Sequence, residues 1–257
     1  MAVTIIGGGG ASSGSSNDQS TSFGGSSDSD LVSIVADADA GKVDLVKDLG
    51  WQVGDRRRVS LSSMSATYTD ESQSAQEVVF VLYNKGGYKL LDGSECHFVL
   101  GLENYLSTNG KMNDSNIGSW KNCGRRKWCN EIFKNAIPSS IRGIFKQFKC
   151  YTYDYSENAV VMTEDYFTLP SSVNLFGVHA YNNSAEDEYQ VPLAYFAGTG
   201  RRIRTLGQTA SLSNGAGANG WLRSPYSSDS FVYVGYGGNA YDYAAPSAYG
   251  LAPLGCL

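Results

Sequence analysis

Several absences narrow what this 257-residue chain can be. Only two histidines are present, His97 in an apolar stretch and His179 in a polar one, with no His-x-x-x-His pair. Each reads as a structural imidazole rather than a base or metal ligand. The five cysteines, Cys96, Cys123, Cys129, Cys150 and Cys256, are odd in number and form no Cys-x-x-Cys. That argues against a disulfide framework or a zinc site and for buried thiols in a protein assembled in the cytosol. No run reaches the roughly 18 apolar residues of a membrane span. Met1 to Ile6 is too short and uncharged for a signal peptide, so export by the secretory route is not expected. Positive charge is scarce too: 20 Lys+Arg against 25 Asp+Glu leave a net charge of -5. This is not the footprint of a nucleic-acid binder. The short basic clusters Arg56-Arg57-Arg58, Arg125-Arg126-Lys127 and Arg201-Arg202-Ile203-Arg204 read as solvated faces or local ion pairs.

Signatures of catalysis are missing as well. There is no phosphate-binding loop and no Gly-x-Ser-x-Gly elbow. Gly215 to Gly220 resembles a dinucleotide fingerprint only superficially, because a Trp-Leu-Arg-Ser-Pro segment follows it instead of a helix. Glu164-Asp165 and Glu186-Asp187-Glu188 supply carboxylates, but sequence neighbours on polar loops read as solvated, not as the acid and base of glycoside cleavage. No catalytic residue, metal ligand or cofactor is assigned.

What is present supports one main domain, since 42% of residues are hydrophobic and 12% aromatic. Gly7 to Ser29 is almost wholly Gly, Ser, Asn, Asp, Gln and Thr, too polar to offset chain entropy. Residues 1–29 are therefore expected as a flexible tail or tether, with Met1 to Ile6 as a docking segment for a larger partner. The domain is expected over residues 30–257. Asp30 to Ala36 predicts a short helix capped by Asp28 or Ser29, with Val43 to Leu49 continuing it or forming another. Alternation predicts strands at 58–61, 78–83 and 97–102. Trp120 to Phe133 and Pro138 to Phe148 recur at helical spacing and predict two central helices of about three turns each. Short strands at 160–163, 166–170 and 173–177 follow. Strands, then helices, then strands and loops spell an α+β domain.

The closing segment, 224–250, holds six Tyr, five Ser, four Ala, four Gly, two Asp and one Asn, and has no Lys, Arg, Glu, Leu or Ile. Tyrosine gives large, stiff contact area with a polar tip, while Ser, Gly and Asn adapt around it, as in antibody binding loops. The candidate ligand-binding residues are Tyr226, Ser228, Asp229, Ser230, Phe231, Tyr233, Tyr236, Asn239, Tyr241, Asp242, Tyr243, Ser247 and Tyr249. With Val232 and Val234 pointing inward, strand alternation displays Phe231 and Tyr233. Trp221, Arg223, Pro225 and Pro253 fence the segment as structural residues: burial for Trp221, a clamp on carbonyls or a carboxylate for Arg223, stiff exits for the prolines.

Eight phrases occur in a fixed order: Trp51-x-Val-Gly-Asp55, Met112-Asn113 with Gly118-Ser119-Trp120, Arg126 to Asn130, Ile137-Pro138, Phe167-Thr-Leu-Pro-Ser-Ser172, Phe176-Gly177, Gly220 to Pro225, and Gly250-Leu-Ala-Pro253. Together, over Leu31 to Leu257, they resemble a domain of unknown function common in gut Firmicutes and their phages. That family is similar to the C-type-lectin-like superfamily, which includes the formylglycine-generating enzymes and the variable proteins of diversity-generating retroelements. Leu251-Ala252-Pro253 stands where many relatives carry Val-Arg-Pro, so an ion pair of that arginine is missing. The enzyme branch uses a late cysteine pair, whereas only Cys256 lies beyond Cys150, and the calcium-lectin signatures are absent.

The resemblance implies a C-type-lectin-like fold and a segment diversified by adenine mutagenesis, since a randomised Asn codon yields Tyr, Asp, Ser, Gly, Ala, Thr or His. It implies a non-enzymatic binder of a cell-surface protein or glycan, carried on a phage tail or bacterial surface. A virion or tail-fibre partner for the N-terminal tail and a homo-oligomer fit the same reading. Two alternatives stand beside it: a structural virion protein that buries these tyrosines in subunit contacts, and a cell-wall glycan-active module.

Overall fold

Ser27 starts the first regular element: its side chain accepts from Asp30 N, and α1 (Asp28–Asp39) follows with Leu31, Val35 and Ala38 as its buried stripe. The computed structural model describes residues 21–69, 71–115, 117–197, 204–205 and 219–257. β1 (Arg56–Leu61), β2 (Gln76–Lys85) and β3 (Phe98–Leu102) form an antiparallel meander close to the three expected strands. β4 (Asn104–Tyr105) leads to a helical run in three parts: α2 (Gly124–Trp128), a π-helical stretch (Cys129–Phe133) and α3 (Lys134–Ala136). A single turn, α4 (Ser139–Arg142), precedes the hairpin of β5 (Phe148–Asp154) and β6 (Ala159–Asp165).

Then come β7 (Phe167–Thr168), α5 (Ser172–Phe176), a 3-10 helix (Ser184–Tyr189) and β8 (Arg204–Thr205), which pairs with β4 in parallel. The chain closes with β9 (Gly220–Pro225), β10 (Ser230–Val234), β11 (Ala240–Ala244) and β12 (Leu254–Cys256). β12 inserts between β3 and β7, giving a five-stranded sheet ordered β1-β2-β3-β12-β7, while β11-β10-β9 form a separate three-stranded sheet. β3 and β12 are buried along their whole length, which is why both read as unbroken apolar runs. The expected α+β class holds, and all five cysteines are buried and free. Among the described residues no helix is long and apolar enough to cross a membrane.

Four expectations are corrected. The folded part begins before residue 30: Phe23 is 1% exposed and meets Trp51 edge-on at 5.3 Å. Trp51 Nε1 donates to Thr21 O, and Arg57 donates to Phe23 O, Ser26 O and Asp28. One aromatic anchor thus outweighs its Gly/Ser surroundings at 21–29; residues 1–20, with the docking segment, lie outside the described residues. Residues 43–49 form turns, held by Asp44 accepting from Val46 N and Lys47 N, and add no helix.

The second central helix is one turn only. Phe148, Cys150, Thr152 and Asp154 are buried at alternate positions, a strand period masked in the sequence by the amphipathic Tyr151 and Tyr153 between them. Conversely, 173–177 is helical. Ser171 and Asn174 form a reciprocal capping box, and Gly177 closes the turn at φ 75, so local capping overrides the β-prone Val and Phe.

Candidate ligand-binding face

The frame of the face is β9, all six residues of which are buried. Trp221 Nε1 donates to Gly110 O at 2.9 Å and Ser247 O at 3.1 Å, and its backbone N–H reaches Gly250 O at 2.9 Å. These bonds fasten the C-terminal end of the closing segment, and the chain at Gly110, to the strand from which the segment departs. Gly220 and Gly250 grip Tyr105 between them, since a Cβ at either would lie 2.0 Å or 2.4 Å from its side chain. Pro225 and Pro253 are buried in this frame, and Pro253 O accepts from Leu102 N.

Arg223 is the clamp. Its guanidinium, fully buried, donates to Leu169 O at 2.8 Å, Asn174 Oδ1 at 3.0 Å, Tyr88 OH at 3.2 Å and Gln190 Oε1. The nearby carboxylate is Glu186, on the 3-10 helix, whose Oε2 accepts from Tyr153 N at 3.0 Å. Burial pushes the Glu186 carboxyl up to about 7, against the pull of bonds from Ser224 and Tyr153 N and of the Arg223 charge. The acidic loop is therefore not simply solvated: Glu186 is buried, while Asp187 pairs with His179 and Asn182. Nor is Asp165 on a polar loop. It lies buried at the end of β6, accepting from Trp120, Arg126, Asn130 and Thr163. Asp165 and Asp187 thus engage different partners. Of the basic clusters, Arg56, Arg57, Arg58 and Arg126 make ion pairs, and so does Arg125, fully buried against Glu71. Residues 201–203 of the third cluster and most of Gly215 to Gly220 lie outside the described residues.

On this frame sits a run of rings. It starts at buried Trp221 and continues through Tyr249 (4.7 Å between centroids), Tyr233 (4.7 Å), Tyr241 (5.5 Å), Tyr181 (6.4 Å) and Tyr226 (6.1 Å). Tyr243 joins at Tyr249, 6.0 Å away. Tyr233 and Tyr241 are cross-strand partners and stack nearly parallel, a pairing that stiffens a two-stranded ribbon. Exposure rises outward: Tyr233 and Tyr249 are half-buried, Tyr226 and Tyr241 are 43% exposed, Tyr243 52% and Tyr236 78%. Partial burial, then neighbouring phenols, raise the hydroxyl pKa of Tyr233 and Tyr249, so both stay neutral donors at physiological pH.

Around the rings, Ser228, Asp229 and Asn239 are exposed, and Asp242 and Ser247 half-exposed. The turn at 226–229 is pinned by Gly118 N donating to Ser228 O at 2.7 Å, and by Tyr155 OH donating to Tyr226 O. Asn219 Oδ1 holds Tyr236 N at 3.0 Å.

Two candidates are not on the face. Phe231 is 0% exposed and Ser230 6%, so both belong to the interior. The ladder of β10 with β9 shifts register between Phe231 and Tyr233, which turns one inward and leaves the other half-open despite their common parity. Segment 110–118 is stitched to both ends of that hairpin, by Gly118 to Ser228 and Met112 N to Ala245 O. Conversely, the sequence reading missed Tyr181. It arrives from a distant loop in the left-handed region, φ 62, costly for an aromatic residue, and joins Tyr226 to Tyr241. Only the Tyr-Asn-Asn string at 181–183 hints at it. Tyr155, also missed, supports the turn from below.

Fold and face define an α+β domain that sets a ring-covered three-stranded sheet on a buried arginine clamp. The chain belongs to the family described as Domain of unknown function (DUF6273), which matches residues 97–257 and so includes the clamp, Tyr181 and the whole closing segment. No curated protein matches the chain. No solved structure matches it either.

Proposed function

We propose that this chain is a non-enzymatic display protein: a C-type-lectin-like frame that presents residues 226–249, together with Tyr181, as a ligand-binding face. The observation that carries the reading is the continuous, outward-opening set of tyrosines on a sheet whose backbone is pinned from beneath. Such rings give hot-spot contacts at small entropic cost, and ten or so exposed residues supply part of the roughly 800 Å² per partner of a specific interface. The short strands, long connections and Trp221/Arg223 frame support the lectin-like reading. The Asn-derivable composition of 224–250 supports diversification by a retroelement, and with it attachment to a cell-surface protein or glycan from a phage tail or bacterial surface. Several copies on one particle would raise avidity.

The test uses the full chain, fluorescently labelled, on intact cells of gut Firmicutes. Substituting Tyr236, Tyr241 and Tyr243 together by Ala is expected to cut cell binding at least tenfold while leaving thermal unfolding within a few degrees of the native chain. Equal binding by the native and substituted chains refutes the assignment.

A further inference from the structure

Cys96 and Cys256 meet at the corner where the chain ends. Cys256 lies in β12 opposite Val99, and its carbonyl accepts from Lys146 N. Cys96 precedes β3 at a bend, its N–H bonded to Tyr88 O, and the next residue, His97, donates to Leu257 O. This bend, tied by His97 N–H to Leu257 O at 2.8 Å, sets Cys96 beside the end of β12, where its thiol neighbours that of Cys256. Both residues are buried, Cys256 completely and Cys96 to 3% exposure. Cys96, however, lines an open recess of about 650 Å³ between residues 41–48 and the 85–86 and 95–98 segments. The walls mix Lys42, Lys47 and Lys85 with Asp44, Asp48 and Glu95, a surround suited to a small zwitterionic molecule.

We propose that Cys96 and Cys256 form an oxidisable pair that exchanges with small disulfides entering this recess and closes to a Cys96–Cys256 bond. The inference is independent of the display reading. The Cys96 thiolate attacks one sulfur of the incoming disulfide, forming a mixed disulfide and expelling a thiolate. That thiolate takes the proton of Cys256. The Cys256 thiolate then attacks the Cys96 sulfur, closing the bond and expelling the second thiolate, which takes up the proton Cys96 had lost. Two protein thiols are oxidised and one small disulfide is reduced to two thiols.

The direction of attack follows from the surroundings. Interaction with Cys256, opposed by burial, lowers the Cys96 pKa, while complete burial, and then Cys96 itself, raises that of Cys256. Burial drives the other thiols the opposite way, Cys150 to about 11 and Cys123 to about 12, with Cys129 also raised. Closure joins positions about 160 residues apart and ties the last strand to the β2–β3 corner, a long loop whose cross-linking strongly restricts the unfolded chain.

The experiment exposes the full, reduced chain to glutathione disulfide under native conditions, followed by intact mass, peptide mapping and thermal unfolding. The native chain is expected to lose two hydrogens, yield one cross-linked peptide containing Cys96 and Cys256, and unfold several degrees higher. Cys256→Ser is expected to stop at one glutathione on Cys96, and Cys96→Ser to keep Cys256 unmodified. Five alkylatable thiols surviving in the native chain, while the urea-unfolded chain oxidises, would overturn the proposal. A cross-link between any other pair would do so too, and neither result depends on how the variants fold.

Discussion

Replacing Arg223 by Met keeps the aliphatic stem and removes the guanidinium, which makes it the sharpest probe of the frame. Four hydrogen bonds disappear, but two of the acceptors retain other donors: Leu169 O from Thr168, and Asn174 Oδ1 from Ser171 N and Tyr88 OH. Gln190 Oε1 is left without its donor, and Glu186 loses the nearby cation. An orphaned buried acceptor and an uncompensated carboxylate cost about 1–3 kcal/mol each, so the expected loss is about 4 kcal/mol. For a chain of this size that lowers Tm by about 8–16 °C. Part of the loss is electrostatic, so it is expected to be greater at pH 8, where Glu186 is ionised, than at pH 5. Urea unfolding followed by tryptophan fluorescence measures both quantities. A loss below about 1 kcal/mol, or one independent of pH, refutes the assignment of Arg223 as the charge-bearing support of the sheet.

Three further outcomes follow from the same geometry. Glu186 carries a carboxyl raised from 4.5 to about 7 on folding, so the native state binds the proton more tightly and stability is lost as pH climbs through that window. The native chain is expected to lose about 3 kcal/mol relative to Glu186→Gln across it, and parallel urea-stability profiles of the two proteins would refute this. At Gly118 an added Cβ would stand 1.8 Å from Ser227 O, a backbone atom. Gly118→Ala should therefore speed amide hydrogen exchange in the 226–230 turn and cost about 1–3 kcal/mol, and unchanged exchange would show the turn is not pinned there. Phe23→Ala should cost about 3–5 kcal/mol in thermal or urea unfolding; a neutral result would return residues 21–29 to the tail.

The sequence made some layers plain and hid others for identifiable reasons. Strands β1 to β3 were legible because their apolar residues either alternate or run unbroken between turn residues. Trp221 and Arg223 were legible as supports because a tryptophan and an arginine stand inside a stretch of small residues, and the structure buries both. Composition also pointed to surface-lying tyrosines, but it could not separate Tyr233 from Phe231: the register shift that divides them is a property of the pairing with β9, not of β10 alone. Tyr181 was illegible because 45 residues separate it from Tyr226, as the two numbers show, and only the fold brings them to 6.1 Å. Buried Glu186 and Asp165 were misread for a related reason. A carboxylate among polar neighbours in sequence says nothing of the tryptophan, arginine or strand that folding packs over it.

The arrangement also sets which positions could vary if this segment is a changeable contact surface. Tyr236 touches the frame through its backbone N–H, so its side chain is free of structural duty. Tyr243 and Tyr241 lean on other phenols, and their loss would remove ring contacts worth roughly 0.5–1.5 kcal/mol each without opening the core. Tyr249 and Tyr233 differ, because both lie against Trp221, whose indole N–H ties Gly110 to Ser247. A small residue at either position would uncover that indole and loosen the strand carrying the clamp. Backbone bonds at Gly118, Asn219 and Gly250, meanwhile, fix the path of the segment whatever side chains it bears. Variation is thus physically cheap at the outer rim and expensive beside Trp221. If the segment binds a ligand, its specificity would change from the edge inward while its stability stays in β9.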